Sequence, residues 1–325
     1  MGAQPHRSPS LKARAERTSC RGNGDMHRLA ARARGAMTGD GWSGRVQSVH
    51  PRAINIVRAD GLAVSVVADR TSMSAMGILA AEPFESCPPP ELVEMAARMQ
   101  DAVVSIDSFA SIECSASTIW EGRVDAASVH SIARDLIHAI RDDLFIHGNA
   151  GGMLGVLRSG VAENPFVAHG RKSLEEGRPD LLVGCGPGLT PSGDDFLTGA
   201  LVASSQSDYS RSRIERALPG TSAPGRTLLW MALQGQFPAY LVEFIDDVLA
   251  ADSREAVSAA VRTACAHGET SGTDALAGFC WQMLNVGQVQ EMRTAAPVQL
   301  TLFEAIPGSK RIRVCNRLRN VSISH

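Results

Sequence analysis

The sequence lacks the features that identify membrane, secreted and nucleic-acid-binding proteins. No apolar run approaches the roughly 20 residues needed to cross a bilayer, and the first segment has no apolar core of the kind found in secretory signals. The net charge of -2 over 325 residues provides no excess of positive charge for nucleic acid. We therefore expect a cytoplasmic protein with neither a membrane nor nucleic acid as partner. A small-molecule substrate is predicted instead by the motifs described below.

Cysteine is sparse and irregularly placed. The cysteines are odd in number, and no two are spaced as C-x-x-C, so the sequence supports neither a disulfide framework nor a zinc ribbon. They are Cys20, Cys87, Cys114, Cys185, Cys265, Cys280 and Cys315. This pattern is typical of a chain in a reducing compartment.

The amino-acid composition and apolar pattern of the first half of the chain change near residue 43. Residues 1–42 are rich in Arg, Ser and Gly without apolar periodicity, which predicts a disordered leader. A transit peptide and an upstream start codon both fit that composition. Residues 43–124 contain short apolar runs, including 76–80 and 112–120, and a hairpin signal around residues 59–61. They predict a small, mostly antiparallel β unit as the N-terminal domain.

Residues 125–289 are predicted to form a larger helical domain. Apolar residues between 125 and 143 recur at the i, i+3, i+4 and i+7 spacing of one amphipathic helix. Further helices fit residues 194–206, 226–235, 238–250, 253–266 and 272–284. A tail follows at 290–325, with one predicted strand at 298–303. A β-rich N-terminal part followed by a helical C-terminal part predicts an α+β fold.

A glycine-rich stretch carries the first candidate site in the helical domain. Residues 181–183 followed by Gly-Cys-Gly-Pro-Gly at 184–188 resemble the strand and turn of Rossmann-type S-adenosylmethionine methyltransferases. Prolines delay the next helix to Ser192, however, and no strand ending in an acidic residue follows, so this function is the lesser alternative. Cys185 could be a nucleophile, but no His lies close in sequence and a small apolar filler is the simpler role.

A Ser-Gly-x-Asp turn follows the glycines and occurs a second time. Residues 192–201 and 271–280 align without gaps and share five positions, which are Ser192/Ser271, Gly193/Gly272, Asp195/Asp274, Leu197/Leu276 and Gly199/Gly278. Ser followed three residues later by Asp, before an apolar run, is a capping-box pattern. The fold is therefore expected to contain a duplicated helix N-terminal turn, with Ser192 and Ser271 as N-caps. Capping alone would explain either copy.

The duplication predicts a shared site. Two helix N-termini that face one cavity would bring positive dipole ends and free amide groups together, which favours an anion. The carboxylates of Asp194, Asp195 and Asp274 would repel a bare phosphate. They require either Mg²⁺ or a substrate that presents N–H donors, such as a carbamoyl or amide group.

These motifs resemble those of a known bacterial family. Gly-x-Gly-Pro-Gly-Leu-Thr-Pro-Ser-Gly-Asp-Asp at 184–195, with His-Gly-x-x-Ser-Gly-x-Asp-x-Leu-x-Gly at 267–278, is similar to a domain family that includes one subunit of the oxamate carbamoyltransferase complex of anaerobic allantoin breakdown. The similarity is expected to run from about residue 45 to residue 285. It implies a transferase that acts with other subunits of a hetero-oligomeric complex. Its reaction would be phosphorolysis of oxalurate to oxamate and carbamoyl phosphate, or the reverse.

The sequence thus yields a defined set of candidate site residues. The predicted catalytic residues are Asp194, Asp195 and Asp274, and the predicted substrate-binding residues are Gly186, Gly188, Thr190, Ser192, Gly193, Ser271 and Gly272. Arg226 and His267 are secondary candidates, and Mg²⁺ is the cofactor that the carboxylates would accommodate. Because family membership does not locate the chemistry within a complex, a non-catalytic assembly subunit is the main alternative.

Overall fold

The N-terminal part of the chain is a closed β-barrel. The computed structural model describes residues 27–82, 84, 88–158, 164–204 and 209–295. The strands are β1 (His27–Gly35), β2 (Trp42–His50), β3 (Ala53–Arg58), β4 (Ala63–Val67), β5 (Gly77–Ala80), β6 (Ala96–Gln100), β7 (Val103–Ile106), β8 (Ala110–Glu113) and β9 (Thr118–Trp120). They are ordered β5-β4-β3-β2-β6-β7-β8-β1, and β1 pairs with β5 to close the barrel. Strand β9 pairs with β1 as an addition.

Alternating side chains fill the barrel. In β6 and β7, Ala97, Met99, Val104 and Ile106 point inward and are buried, as the two-residue period of a strand requires. The same apolar cluster includes residues from the other strands, among them Val46, Ile56, Val64, Val66, Ile78 and Ile112. The barrel therefore has a packed interior.

The predicted β unit is confirmed only in part, since the sheet is mixed and closed. The β3–β4 hairpin is present, and Gly61 in its turn has a φ of 81°. However, β1 pairs in parallel with β8 and β4 pairs in parallel with β5. Alternation within single strands cannot reveal such pairings, because they join segments that are distant in the sequence. Residues 27–42 are also not the leader that composition predicted, because they supply β1 and the turn into β2.

The rest of the described chain is helical. The helices are α1 (Ala126–His130), α2 (Arg134–His147), α3 (Pro165–Glu175), α4 (Ser192–Val202), α5 (Tyr209–Ala217), α6 (Ala223–Leu233), α7 (Ala239–Ala250), α8 (Arg254–Cys265) and α9 (Ser271–Ala295). The single helix predicted between 125 and 143 is two helices, because Ala133 adopts an extended conformation at the start of α2. The five further predicted helices correspond to α4, α6, α7, α8 and α9. The strand predicted at 298–303 lies outside the described residues.

Helix α4 lies at the centre of the helical part, and all of its residues are buried. It packs most extensively against α9. The barrel contacts the helical part through α6 and α7, where the Ala63 N–H donates to Thr227 Oγ1 at 2.7 Å and the Ala239 N–H donates to the Met73 carbonyl at 2.8 Å. Within the part of the chain that the structure describes, no helix is both long and apolar enough to span a membrane.

Candidate functional site

The later glycine of each repeat brings α4 and α9 into close contact. A Cβ atom at Gly199 would lie 1.7 Å from the Ala275 carbonyl oxygen, and one at Gly278 would lie 1.8 Å from the Phe196 carbonyl oxygen. Ala275 and Phe196 occupy equivalent positions in the aligned repeats, so the two helices cross with approximate twofold symmetry. The role of these glycines is helix packing.

The earlier glycines are packed in the same way. A Cβ atom would lie 2.1 Å from the Leu182 carbonyl oxygen at Gly193, and 1.8 Å from the Ala264 carbonyl oxygen at Gly272. Their N–H groups donate to protein carbonyls, Gly193 to Cys185 at 2.8 Å and Gly272 to His267 at 3.0 Å. These two amide groups, which we predicted to bind substrate, are therefore already used within the protein.

The repeated serines contact the opposite helix. Thr190 Oγ1 lies 3.3 Å from Ser271 Oγ, and Ser192 Oγ lies 3.4 Å from Thr270 Oγ1. The carboxylate of Asp195 accepts hydrogen bonds from Ser271 and Thr190. That of Asp274 accepts hydrogen bonds from Ser192 and Thr270. Each repeat therefore supplies a hydroxyl to the carboxylate of the other repeat.

This exchange overturns the capping-box prediction. Pro191, not Ser192, is the N-cap of α4, and no side chain caps that helix. Ser192 and Ser271 are the first residues within their helices. The hydroxyl contacts nevertheless show that the two helix starts lie together, whereas the cavity that they were predicted to share stays a prediction.

Asp194 holds the glycine loop in place. One carboxylate oxygen accepts the Gly184 N–H at 2.8 Å, and the other accepts the Thr221 hydroxyl. Gly225 lies against the same carboxylate, where a Cβ atom would be 2.1 Å from Oδ2. Burial raises the pKa of Asp194 to about 6, although the hydrogen bonds from Thr221 and Gly184 act in the opposite direction. Both oxygens have partners within the protein, which indicates an anchoring role.

Asp195 and Asp274 are different, because each is buried with one oxygen unsatisfied. Within the described residues, the Oδ2 atom of each has no hydrogen-bond partner. Asp274 Oδ1 accepts the Met153 N–H at 2.5 Å. A buried carboxylate oxygen without a donor costs free energy, so such a pair requires an explanation.

Burial controls the protonation of the two carboxylates. It raises the pKa of Asp274 to about 6, against hydrogen bonds from Met153, Ser192 and Thr270. It raises the pKa of Asp195 well above its usual range, and the charge of Asp274 raises it further. Burial thus favours the protonated form of both carboxyl groups, and the charge of Asp274 favours it further at Asp195.

Tyr240 in α7 is a site residue that the sequence did not reveal. Its hydroxyl is buried and has no partner among the described residues. Burial raises the pKa of Tyr240, and the charges of Asp195 and Asp274 add to the rise, so the hydroxyl lies within their electrostatic reach. Its ring stacks on His267, with 4.1 Å between ring centroids. A single tyrosine in an apolar helix gave no signal beyond core packing.

The glycine loop lies at the surface, next to this buried pair. Gly184, Gly186 and Gly188 have φ angles of 74°, 112° and 104°, which non-glycine residues rarely adopt. Within the described chain, no hydrogen bond is made by the N–H groups of Gly186, Gly188, Leu189 and Thr190. Thr190 joins this loop to the interior through its contact with Ser271. Free N–H groups of this kind can bind an anion.

Two alternatives are contradicted by this geometry. Residues Pro179–Leu182 form a 3₁₀ helix rather than a strand, and the described strands all lie before residue 121, so the methyltransferase fold is wrong. Burial raises the pKa of Cys185, and the charge of Asp194 adds to it, which disfavours a thiolate nucleophile.

The secondary candidates Arg226 and His267 do not contribute a positive charge to the Asp195 and Asp274 pair. The Arg226 guanidinium donates to the carbonyls of Leu218 and Pro219. Burial lowers the pKa of His267, which favours the neutral ring. Across the described ranges, no group of three or more His, Cys, Asp or Glu side chains is arranged to hold a metal ion.

Comparison with known proteins finds a family match within the helical part of the chain. No solved structure matches the chain. Residues 182–283 match the model of a family described as oxamate carbamoyltransferase subunit AllH. The matched region contains the glycine loop, both repeats and Tyr240, but not the barrel, over which similarity was also expected. The resemblance carried by the two motifs is thus confirmed, since residues 182–283 are similar to the family of the oxamate carbamoyltransferase subunit AllH.

Proposed function

We propose that this chain is a subunit of a carbamoyltransferase-type enzyme and binds a small phosphorylated or carbamoylated metabolite where α4 and α9 begin. The observation that carries the proposal is the buried pair Asp195 and Asp274, each with an unsatisfied oxygen. The family match of residues 182–283 supplies the reaction class. A carbamoyl or amide group would satisfy the pair, because it offers both N–H donors and a carbonyl acceptor.

The protonation of the pair suits such a group. Protonated Asp195 donates to a carbonyl oxygen, while ionised Asp274 accepts from an N–H group. A phosphate would be repelled by Asp274 and is better placed at the loop amide groups of Gly186 and Gly188. The two ends of carbamoyl phosphate would thus have separate binding groups.

The transfer step follows from this placement. The amide nitrogen of the acceptor attacks the carbamoyl carbon, the bond from that carbon to the phosphate oxygen breaks, and inorganic phosphate leaves. The proton lost by the attacking nitrogen passes to the Asp274 carboxylate, whose pKa of about 6 suits a base near neutral pH. Phosphorolysis is the same path reversed. Positioning and electrostatic stabilisation carry most of the catalysis.

Substitution of the pair tests this function. In the complex reconstituted with its partner subunits, Asp195→Asn and Asp274→Asn are expected to lower turnover by about 100-fold or more. Asp142→Asn is the matched control, because that carboxylate is 60% exposed and pairs with Arg141 at the surface. Unchanged turnover in both pair variants, with intact folding, would contradict the catalytic role.

A non-catalytic assembly subunit is the second candidate, and the packing of the motif favours it. Asp194 has partners for both oxygens, and Gly193, Gly199, Gly272 and Gly278 are all explained by backbone contacts. If the reconstituted complex retains full activity with both Asn variants, the motif serves packing and the chemistry belongs to another subunit.

A further inference from the structure

An arginine-lined cavity opens at the surface of the helical part, between α5 and the 3₁₀ helix Pro179–Leu182. Its volume is about 420 Å³, which lies within the range of small-molecule sites. The lining residues are Arg178, Asp180, Arg213, Arg216 and Ala217. They include no residue of the glycine loop or of either repeat, so the cavity is separate from the buried carboxylate pair.

Helix α5 presents two positive charges to this cavity. Arg213 and Arg216 are three residues apart, and that spacing places both side chains on one face of the helix. Glu215 lies between them in the sequence but does not line the cavity. Like charges on one helix face repel each other, so this arrangement is favourable only where negative charge is held between them.

The acidic groups near the cavity are already engaged. Asp180 accepts from Arg178 Nε at 3.0 Å and from Arg178 Nη2 at 2.8 Å. These hydrogen bonds lower the pKa of Asp180, and the charges of Arg178 and Arg213 lower it further. Glu176, which acts on Arg178 through its charge, pairs with Lys172 at 4.0 Å. One lining carboxylate therefore faces three guanidinium groups, and two positive charges are left without compensation.

Arg216 keeps most of its hydrogen-bond donors available. Its Nε donates to the Ser212 carbonyl of the same helix at 3.1 Å. Within the described chain, the two terminal nitrogens of Arg216 make no hydrogen bond. A guanidinium group presents its N–H donors in a planar fork that matches two oxygens of a phosphate or a carboxylate. The edge of Arg216 that binds an oxyanion is thus unused.

We propose that this cavity binds the phosphate group of a small organic phosphate, held by Arg213 and Arg216. A phosphate monoester carries about 1.5–2 negative charges near pH 7. That charge matches the two uncompensated arginines, whereas a single carboxylate would neutralise only one of them. The inference is independent of the proposed function, because it uses none of the residues assigned to carbamoyl transfer.

Protection of arginine against phenylglyoxal tests the site on the full-length chain, with inorganic phosphate as the probe. Peptide mass spectrometry follows the modification of each arginine, and sodium chloride keeps the ionic strength constant. Saturating phosphate is expected to slow the modification of Arg216 by at least about fivefold. Arg98, exposed on β6, is the internal control, and its rate is expected to change by less than about twofold.

Substitution of Arg216 provides the second arm. In Arg216→Gln, the phosphate concentration that half-protects Arg213 is expected to rise at least about tenfold, because the open guanidinium edge is lost. Arg98→Gln removes the same charge elsewhere and is expected to leave that concentration within about twofold of wild type. Thermal melting checks that both variants are folded.

Three results would overturn the inference. Equal protection of Arg98 and Arg216, or protection of neither, would show that phosphate has no specific site in the cavity. An unchanged half-protecting concentration in folded Arg216→Gln would show that this arginine does not bind phosphate. Acetate that protects Arg216 as well as phosphate does would contradict the assignment to a doubly charged group. Turnover of the Asp195→Asn and Asp274→Asn complexes decides the proposed function separately in each case.

Discussion

Replacing Asp274 with Asn should remove the part of the pH dependence of the unfolding free energy that comes from ionisation of Asp274. Asp274 is completely buried, and its pKa is raised by burial from 3.8 to about 6. Asn has almost the same volume and keeps the oxygen that accepts the Met153 N–H. Its amide group can donate to the hydroxyls of Ser192 and Thr270. The substitution therefore removes the ionisation while retaining the contacts.

The sign and size of the effect follow from the raised pKa. Between pH 3.8 and about 6 the folded chain holds a proton that the unfolded chain releases, so the contribution of Asp274 to stability is lost as the pH rises through that range. A difference of about 2 pH units corresponds to about 3 kcal/mol. Relative to wild type, Asp274→Asn should gain about that much unfolding free energy between pH 4 and pH 7.5.

Urea unfolding of both proteins at several pH values measures this difference. Asp125→Asn is a control of opposite sign, because hydrogen bonds from Ser128 and Ala127 lower the pKa of Asp125 at the start of α1. For that pair of proteins, the unfolding free energy of the wild type should rise relative to that of the variant as the pH rises. A flat difference for Asp274→Asn across the range would show that the pKa of Asp274 is the same in the folded and the unfolded chain, and the protonation scheme of the pair would fail.

Three further outcomes are expected. Gly199→Ala should lower the unfolding free energy by about 1–3 kcal/mol because α4 and α9 must separate, whereas Gly220→Ala, which meets nothing within 4 Å, should be nearly neutral in urea unfolding. Calorimetry with carbamoyl phosphate should give similar affinities in Mg²⁺ and in EDTA, and a loss of tenfold or more in EDTA would instead indicate a metal. Cys185→Ala should retain most of the turnover of the reconstituted complex, and its inactivity would restore a thiol mechanism.

The parts of the fold that sequence predicted are those with local signals. Apolar periodicity located α4 and α6 to α9, and a turn signal located the β3–β4 hairpin. The barrel was not predictable in this way, because its closure depends on β1 meeting both β5 and β8. Residues 27–35 alternate Arg with small residues, and that composition resembles a disordered segment until its partner strands are known.

The candidate site was predictable where the repeat marked it and not elsewhere. From the sequence alone, the repeated motif predicted that Asp195 and Asp274 belong to one shared site. Tyr240 comes from a helix without any motif, and a cavity beside it forms only where the barrel meets α7 and α8. Contacts between segments that are distant in the sequence leave no periodic pattern in the sequence of either segment.

The failed capping prediction shows why the repeat occurs as a pair. A Ser-Gly-x-Asp turn has the same sequence whether its hydroxyl bonds to its own helix or to a neighbouring carboxylate. Here Gly199 and Gly278 select the neighbouring carboxylate, because they let the two helices approach closely. Ser192 then contacts Asp274, and Ser271 contacts Asp195. Each carboxylate accepts one hydroxyl from its own segment, Thr190 or Thr270, and one from the other repeat. The two turns therefore form a single polar centre, and a change in either one alters the protonation of the other.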